Sequence, residues 1–271
     1  MGFIEKIRER WRSVNSLLCV GLDPDIEKLP EHLKKSDHPI LEFNRLIVDS
    51  TYDLVCAYKP QIAHFSASGA EYELEMTIEY IHANYPDIPV ILDAKRGDIG
   101  STAEMYAIEA FDRYKADAVT VNPYLGGDTL GPFLRRKDKG VIMLCRTSNP
   151  GAADIQDIES NGEKLYRIIA RRASLEWNYN NNLMLVVGAT YPEELKEIRL
   201  IAGDIPFLVP GIGAQGGDVE KAVKNGITRE KTGMVINSSR GIIYAGSGKD
   251  FTGDVRNAAL QLRDTINRYR Q

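Results

Sequence analysis

Short apolar runs alternate with longer amphipathic segments along the whole chain. The apolar runs are rich in Val, Ile and Leu and carry few charges, which is typical of strands buried on both faces of a parallel sheet. They predict eight strands, at residues 17–22, 55–58, 88–93, 118–121, 141–145, 183–188, 206–209 and 233–237. A parallel sheet of this kind needs helices on both of its faces.

The amphipathic segments supply those helices, because their apolar residues recur every three to four positions. One helix is predicted after each strand, at residues 41–55, 68–83, 100–115, 128–135, 163–177, 192–201, 218–225 and 255–268. Another is predicted at the amino terminus, where Phe3, Ile7 and Trp11 recur at helical spacing.

Eight βα units in 271 residues predict the α/β class and a closed (β/α)8 TIM barrel with an extra N-terminal helix. No linker interrupts the pattern, so a single domain over residues 1–271 is expected. An open doubly wound sheet is the structural alternative. In a barrel, the active site is expected at the carboxyl ends of the strands.

Composition and charge argue against several classes of partner and site. A net charge of −4 without a basic stripe argues against nucleic acid as a partner. The sequence lacks a membrane span and a signal peptide, so no membrane partner and a cytoplasmic location are expected. The three cysteines lack CxxC spacing and are expected to be reduced and buried, while the four histidines lack metal-ligand spacing.

The third predicted strand runs directly into a charge cluster, in the segment IPVILDAKRGDIGST at residues 88–102. Alternate side chains of a strand share a face, so Asp93 and Lys95 are expected to point the same way, and Gly97 offers a turn that places Asp98 just past the strand. The two carboxylates favour the charged form of Lys95. A fixed ammonium can stabilise a carbanion or donate a proton to carbon. A solvated surface charge cluster is the alternative interpretation.

Other predicted strands also end in polar residues, namely Asp23, Lys59, Ser148, Gln215 and Arg240. Several such residues at one mouth indicate a site more strongly than one residue would.

The glycine-rich segment VPGIGAQGGD, at residues 209–218, indicates a phosphate site. Glycines allow backbone N–H groups to approach a phosphate at a helix amino terminus, and loops after strands seven and eight often bind phosphate in barrels. Arg240 can add a bidentate contact. The G-x-G-x-x-G spacing within this segment does not indicate a dinucleotide site, because it follows the seventh strand rather than the first. Plain glycine-rich turns are the alternative.

The string DAKRGDIGST closely resembles the signature of the orotidine 5'-phosphate decarboxylase family, particularly its longer bacterial (type 2) subgroup. The family pattern, Asp-x-Lys-x-x-Asp-Ile-x-x-Thr, is present at Asp93, Lys95, Asp98, Ile99 and Thr102. Further segments resemble the family in the same order along almost the whole chain, which makes the resemblance specific.

Two of those segments extend the expected site. GLDPD implies that Asp23 holds the substrate ribose, and YKPQIAHF implies that Lys59 contacts both Asp93 and the ribose. The resemblance therefore makes Lys59, Asp93, Lys95 and Asp98 the expected catalytic set.

Three later segments resemble the family's binding loops for the base and the phosphate. RTSNPG implies that Ser148 contacts the pyrimidine ring, and VPGIGAQGGD places Pro210 and Gln215 beside the base and the phosphate. NSSRGIIYA places Ser239 and Arg240 at the phosphate, although Ser239 is glycine in other branches of the family.

The resemblance implies decarboxylation of orotidine 5'-monophosphate to UMP and carbon dioxide, the last step of de novo UMP synthesis, without cofactor or metal. Lys95 would stabilise and protonate the carbanion at C6, with Asp93 holding it in place. The resemblance also implies a homodimer with shared active sites, in which Asp98, Ile99 and Thr102 complete the partner's site.

Two alternatives follow from the same residues. A related barrel enzyme that acts on a sugar phosphate shares Asp-x-Lys-x-x-Asp but uses magnesium, and Ile99 and Thr102 favour the nucleotide enzyme over it. A phosphate-binding barrel without activity is the non-enzymatic alternative, but binding alone does not need the four charged residues of the catalytic set.

Overall fold

The computed structural model describes residues 1–212 and 217–271, and within them the predicted (β/α)8 barrel is confirmed. The barrel strands, numbered here in chain order, are β1 Leu18–Leu22, β2 Ala57–Pro60, β3 Ile91–Arg96, β4 Ala118–Val121, β5 Gly140–Arg146, β6 Leu183–Val187, β7 Phe207–Val209 and β8 Met234–Ser238. Every residue of β1, β2, β4, β6 and β7 is buried, as expected for strands covered on both faces.

Neighbouring strands pair in parallel in the order β2, β1, β8, β7, β6, β5, β4, β3. Two parallel bridges, Tyr58 with Val90 and Gln61 with Asp93, join β2 to β3 and close the sheet. The closure rules out the open doubly wound sheet and brings the carboxyl ends of the strands to one mouth.

The outer layer consists of helices that follow the strands. The longer ones are Pro39–Thr51, Glu71–Asn84, Gly100–Ile108, Leu165–Arg172, Pro192–Ala202, Val219–Gly226 and Phe251–Tyr269. Shorter helical turns are Ile26–Lys28, Ile62–Ser66, Glu109–Arg113, Pro123–Leu125, Gly127–Leu130, Gly131–Leu134, Pro150–Ala152, Ala153–Gln156, Ala173–Trp177 and Arg240–Ile243.

One predicted helix starts later than the sequence pattern suggested. Residues 163–164 of the predicted helix 163–177 instead form the second strand of a small antiparallel hairpin, Glu159–Ser160 with Glu163–Lys164. The two residues between these strands, Asn161 and Gly162, have φ of 53° and 75°. An Asn-Gly pair readily adopts this left-handed geometry, so local turn chemistry prevails over the helical period here.

The N-terminal helix Phe3–Ser13 lies across the amino-terminal end of the barrel, with Phe3, Ile7 and Trp11 buried as predicted. Gly140, the first residue of β5, allows this contact, since a Cβ there would lie 2.2 Å from Cδ1 of the Phe3 ring. The helix therefore closes the end of the barrel opposite the expected site.

Candidate active site

Asp93, the third residue of β3, is the centre of a buried charge cluster. Its Oδ2 accepts a hydrogen bond of 3.1 Å from Lys59 Nζ, and its Oδ1 accepts one of 2.6 Å from Lys95 Nζ. A third donor, Thr120 Oγ1 on β4, lies 2.8 Å from Oδ1. Lys59 is itself 3.8 Å from a carboxylate oxygen of Asp23, so strands β1 to β4 all contribute to the cluster.

Lys95 reaches Asp93 through irregular backbone rather than through regular strand alternation. The pairing of β3 with β4 shifts register between Leu92 and Arg96, and Lys95 has φ of 46°, in the left-handed region. Gly97 directly follows the strand and allows a close approach, since a Cβ there would lie 3.0 Å from the Asn122 carbonyl oxygen. A lysine with positive φ is strained, and such strain is concentrated at functional sites.

Neighbouring charges keep Asp93 and Lys59 ionised although both are buried. Burial by itself would raise the pKa of Asp93, but the ammonium groups of Lys59 and Lys95 and the hydrogen bonds from Lys95 and Thr120 lower it well below its usual range. Burial would likewise lower the pKa of Lys59, but the carboxylates of Asp93 and Asp23 raise it. Both groups therefore stay charged at neutral pH.

The cluster forms one wall of a cavity of about 410 Å³ at the mouth of the barrel. The cavity brings together six of the residues predicted from the sequence: Asp23, Lys59, Asp93, Lys95, Ser148 and Pro210. Apolar side chains of Leu144, Val186 and Leu208 also line it, beside the charged groups. A volume of this size suits a small-molecule ligand with both apolar and polar parts.

Asp98, Ile99 and Thr102 do not line this cavity in the described part of the chain. Asp98 lies beyond β3, where its Oδ1 accepts the N–H of Ile99 at 2.8 Å. Ile99 is 62% exposed, and Thr102 is exposed on the first turn of Gly100–Ile108. Among the described residues, the ion pair of Lys95 is with Asp93 and not with Asp98.

Two of the predicted phosphate residues, Ser239 and Arg240, directly follow β8, and the described ends of the glycine-rich segment follow β7. Gly211 has φ of 97°, and its carbonyl oxygen accepts the N–H of Gly217 at 3.0 Å, which draws the two ends of the loop together. Ser239 Oγ donates to the Gly21 carbonyl at 3.1 Å. Arg240 is exposed at the start of Arg240–Ile243 and has no ion pair with any described residue. Gln215, the remaining prediction, lies outside the described residues.

Sequence reasoning missed several polar residues of the cavity, namely Gln61, His64, Thr120, Thr147, Asn149 and Asn237. Thr120 carried a signal, because it is a polar residue inside an otherwise apolar strand, and Asn237 carried a weaker one, because it is polar and directly follows the apolar run 234–236. Oδ1 of Asn237 is buried without a hydrogen bond within the described residues, and the same holds for Oδ1 of Asp23. Buried oxygens that lack a hydrogen bond beside a cavity indicate a site built to bind a polar ligand.

Both the sequence and the fold are similar to those of known proteins. A sequence profile described as "Orotidine 5'-phosphate decarboxylase / HUMPS family" matches residues 16–250. Orotidine 5'-phosphate decarboxylase of Dechloromonas aromatica (strain RCB) is 59% identical over 270 residues and covers 100% of both chains. That of Cellvibrio japonicus (strain Ueda107) is 58% identical over 269 residues and covers 98% of both.

Among solved structures, that of Leishmania donovani OMP decarboxylase superposes with a TM-score of 0.87 at 40% identity, over 100% of this chain and 99% of that one. Sequence identity at this level over the full length, together with the same barrel, confirms the resemblance predicted from the motifs. The chain belongs to the orotidine 5'-phosphate decarboxylase family.

Proposed function

We propose that this chain decarboxylates orotidine 5'-monophosphate to UMP and carbon dioxide, with Lys95 stabilising and then protonating the carbanion at C6 of the pyrimidine. The observation that carries the proposal is the 2.6 Å contact between Lys95 Nζ and Asp93 Oδ1 at the wall of the cavity. This contact holds an ammonium group in a fixed position where a bound pyrimidine can meet it.

The reaction needs such a group because it breaks the bond between C6 and the carboxylate carbon. The electron pair stays on C6 in a vinylic orbital that no neighbouring carbonyl delocalises well, so the barrier must fall by about 20 kcal/mol or more. A positive charge already in place stabilises the carbanion without a reorganisation cost. The proton then passes from Lys95 Nζ to C6, carbon dioxide leaves, and Lys95 recovers a proton from solvent.

Asp93 serves this chemistry by fixing Lys95, and Lys59 fixes Asp93 in turn from the other side. Because its pKa is lowered, Asp93 stays ionised from neutral to mildly acidic pH and keeps its contact with Lys95. The carboxylate has no proton to give in this range, which leaves Lys95 as the proton donor of the pair.

The rest of the cavity suits the sugar and the base. Asp23 Oδ1 is buried without a hydrogen bond within the described residues, so it is ready to accept one from a ribose hydroxyl. We assign Ser148 and Pro210, which line the cavity with the apolar Leu144, to the pyrimidine ring. An apolar wall beside a few placed polar groups is typical of small-molecule sites.

We assign the 5'-phosphate to the loops that follow β7 and β8, through Ser239, Arg240 and Gln215. Arg240 supports this assignment, since its side chain is exposed at the mouth of the barrel without an ion pair to any described residue. Phosphate binding is remote from C6, but its free energy can order the site for the chemical step.

An Arg240→Ala change is expected to lower kcat/KM for the nucleotide by about 10- to 100-fold, because it removes a charged hydrogen bond to the phosphate. It should leave slow turnover of the phosphate-free nucleoside orotidine unchanged. Steady-state assays with both substrates test this, with Arg229→Ala as the control at an exposed arginine near the opposite end of the barrel. Equal losses with both substrates would rule out the phosphate assignment.

We further propose a homodimer in which Asp98, Ile99 and Thr102 complete the partner's site. Asp98 lies outside the lining of its own cavity, and large apolar side chains are exposed on the segments that follow β3 and β4, namely Ile99, Met105 and Tyr124. If a second copy covers these side chains and takes Asp98 of the first into its barrel mouth, two-fold symmetry requires the reciprocal placement as well.

The function is tested by following orotidine 5'-monophosphate by ultraviolet absorbance with the purified chain, with and without EDTA. Full activity in EDTA is expected. The alternative is a related barrel enzyme that acts on a sugar phosphate, shares the Asp-x-Lys-x-x-Asp pattern and needs magnesium. Inactivity towards the nucleotide, or activity that EDTA abolishes and magnesium restores, would refute the proposal.

The location of the enzyme is a separate proposal. Cys19, Cys56 and Cys145 are all buried and free, as predicted from the sequence. Reduced thiols are typical of the cytoplasm, and we therefore propose a cytoplasmic enzyme. The described residues include no helix that is long and apolar enough to cross a membrane.

A further inference from the structure

Thr120 makes an unusually complete set of hydrogen bonds beside the charge cluster. It lies in the middle of β4, is 1% exposed, and has Val119 and Val121 as its neighbours in the strand. Its Oγ1 donates to Asp93 Oδ1 at 2.8 Å and accepts the backbone N–H groups of Ala94 and Lys95, each at 2.9 Å. A hydroxyl has one donor and two acceptor positions, so Thr120 uses all of them.

Those bonds replace the strand pairing that β3 loses at this point. The register between β3 and β4 shifts between Leu92 and Arg96, so regular ladder bonds do not hold the backbone of residues 94 and 95. The Thr120 hydroxyl takes their two N–H groups instead, at the place where Lys95 adopts its left-handed φ of 46°. The irregular backbone that aims Lys95 is therefore anchored by one side chain of the neighbouring strand.

The same hydroxyl is also one of three side-chain groups that donate hydrogen bonds to the Asp93 carboxylate. Thr120 and Lys95 share Oδ1, while Lys59 takes Oδ2. Thr120 thus orients the carboxylate plane and the lysine backbone together, and the distance from Lys95 Nζ to Asp93 depends on both.

We propose that Thr120 is a positioning residue that sets where the Lys95 ammonium meets the reacting carbon. The inference rests on the proposed function. Thr120 is a neutral residue on β4 and lies outside the Asp-x-Lys-x-x-Asp-Ile-x-x-Thr pattern, yet its hydroxyl controls the rate of the chemical step. Thr120 acts through Asp93 and Lys95 and has no proton transfer of its own.

The main test is Thr120→Val, which keeps the shape of the side chain but removes the hydroxyl. Two partly buried N–H groups lose their acceptor and Asp93 loses a donor, so Lys95 is free to move by an ångström or so. Such a misplacement can cost on the order of 10²-fold in rate. We expect kcat for orotidine 5'-monophosphate to fall by about that factor while KM changes less than threefold, since the phosphate loops are remote from Thr120.

Two further variants separate positioning from packing. Thr120→Ser keeps the hydroxyl and should restore kcat to within threefold of wild type. Thr77→Val removes another buried, hydrogen-bonded hydroxyl, on the outer helix Glu71–Asn84, and should leave kcat unchanged even if it lowers the melting temperature. If Thr120→Val does not fold, Thr120→Cys replaces it, and its kcat should fall between those of the serine variant and Lys95→Ala.

The activity of the wild-type protein separates failure of the proposed decarboxylase function from failure of the positioning role of Thr120. An inactive wild type overturns the proposed function itself. With an active wild type, the positioning role is overturned if Thr120→Val (or Thr120→Cys) keeps kcat within twofold, if its loss is in KM alone, or if Thr120→Ser is as slow as the valine variant.

Discussion

Lys95→Ala is expected to abolish carbon dioxide release, with a loss of kcat of about 10⁴-fold or more. The change removes both the fixed charge that stabilises the carbanion and the proton that quenches it, and each effect is typically large. The protein should still fold, because the Lys95 side chain is 47% exposed and Asp93 retains its bonds from Lys59 and Thr120. Release of labelled carbon dioxide and circular dichroism measure the two properties on one sample.

Lys6→Ala is the matched control for this experiment. Lys6 is paired with Asp117 at 3.2 Å, but at the amino-terminal end of the barrel, away from the cavity. The control should therefore retain wild-type turnover. Turnover of Lys95→Ala within tenfold of wild type would mean that Lys95 has a structural role and that another group protonates C6.

The second large effect is expected from mixing two inactive variants. Lys95→Ala and Asp98→Ala homodimers should both be nearly inactive if each site takes Lys95 from one chain and Asp98 from the other. In a mixed dimer, one site receives both intact residues and the other carries both lesions. Random exchange of equal amounts gives half mixed dimers, each with one working site of two, so activity should recover to about a quarter of wild type.

A double variant provides the control for this recovery. A chain carrying both Lys95→Ala and Asp98→Ala, mixed with Lys95→Ala, has no site with an intact lysine and must stay inactive. Subunit exchange is verified with differently tagged chains. If exchange occurs and the two single variants restore nothing, then Asp98 serves its own barrel, and the shared-site proposal is wrong.

The barrel itself could be predicted from the sequence. Strands buried on both faces must be apolar almost throughout, and the apolar residues of surface helices must recur every three to four positions. The pattern of apolar residues alone therefore revealed the βα units. Polar residues at strand ends, such as Asp23, Lys59 and Asp93, were equally visible, because a barrel brings all carboxyl ends to one mouth. The resemblance to a family then assigned roles that spacing alone leaves open.

The tertiary structure decided how those residues meet. No local pattern predicts that Lys95 takes a left-handed conformation, because the register shift that demands it arises from pairing with β4. Thr120 was a single polar residue in an apolar run, and its three hydrogen bonds exist only because β3 lies alongside it. Asp98, five residues from Asp93 in the chain, proved to lie outside the lining of its own cavity. Sequence proximity fixes which residues are near one another along the chain, but only the packing of strands fixes which atoms come within bonding distance.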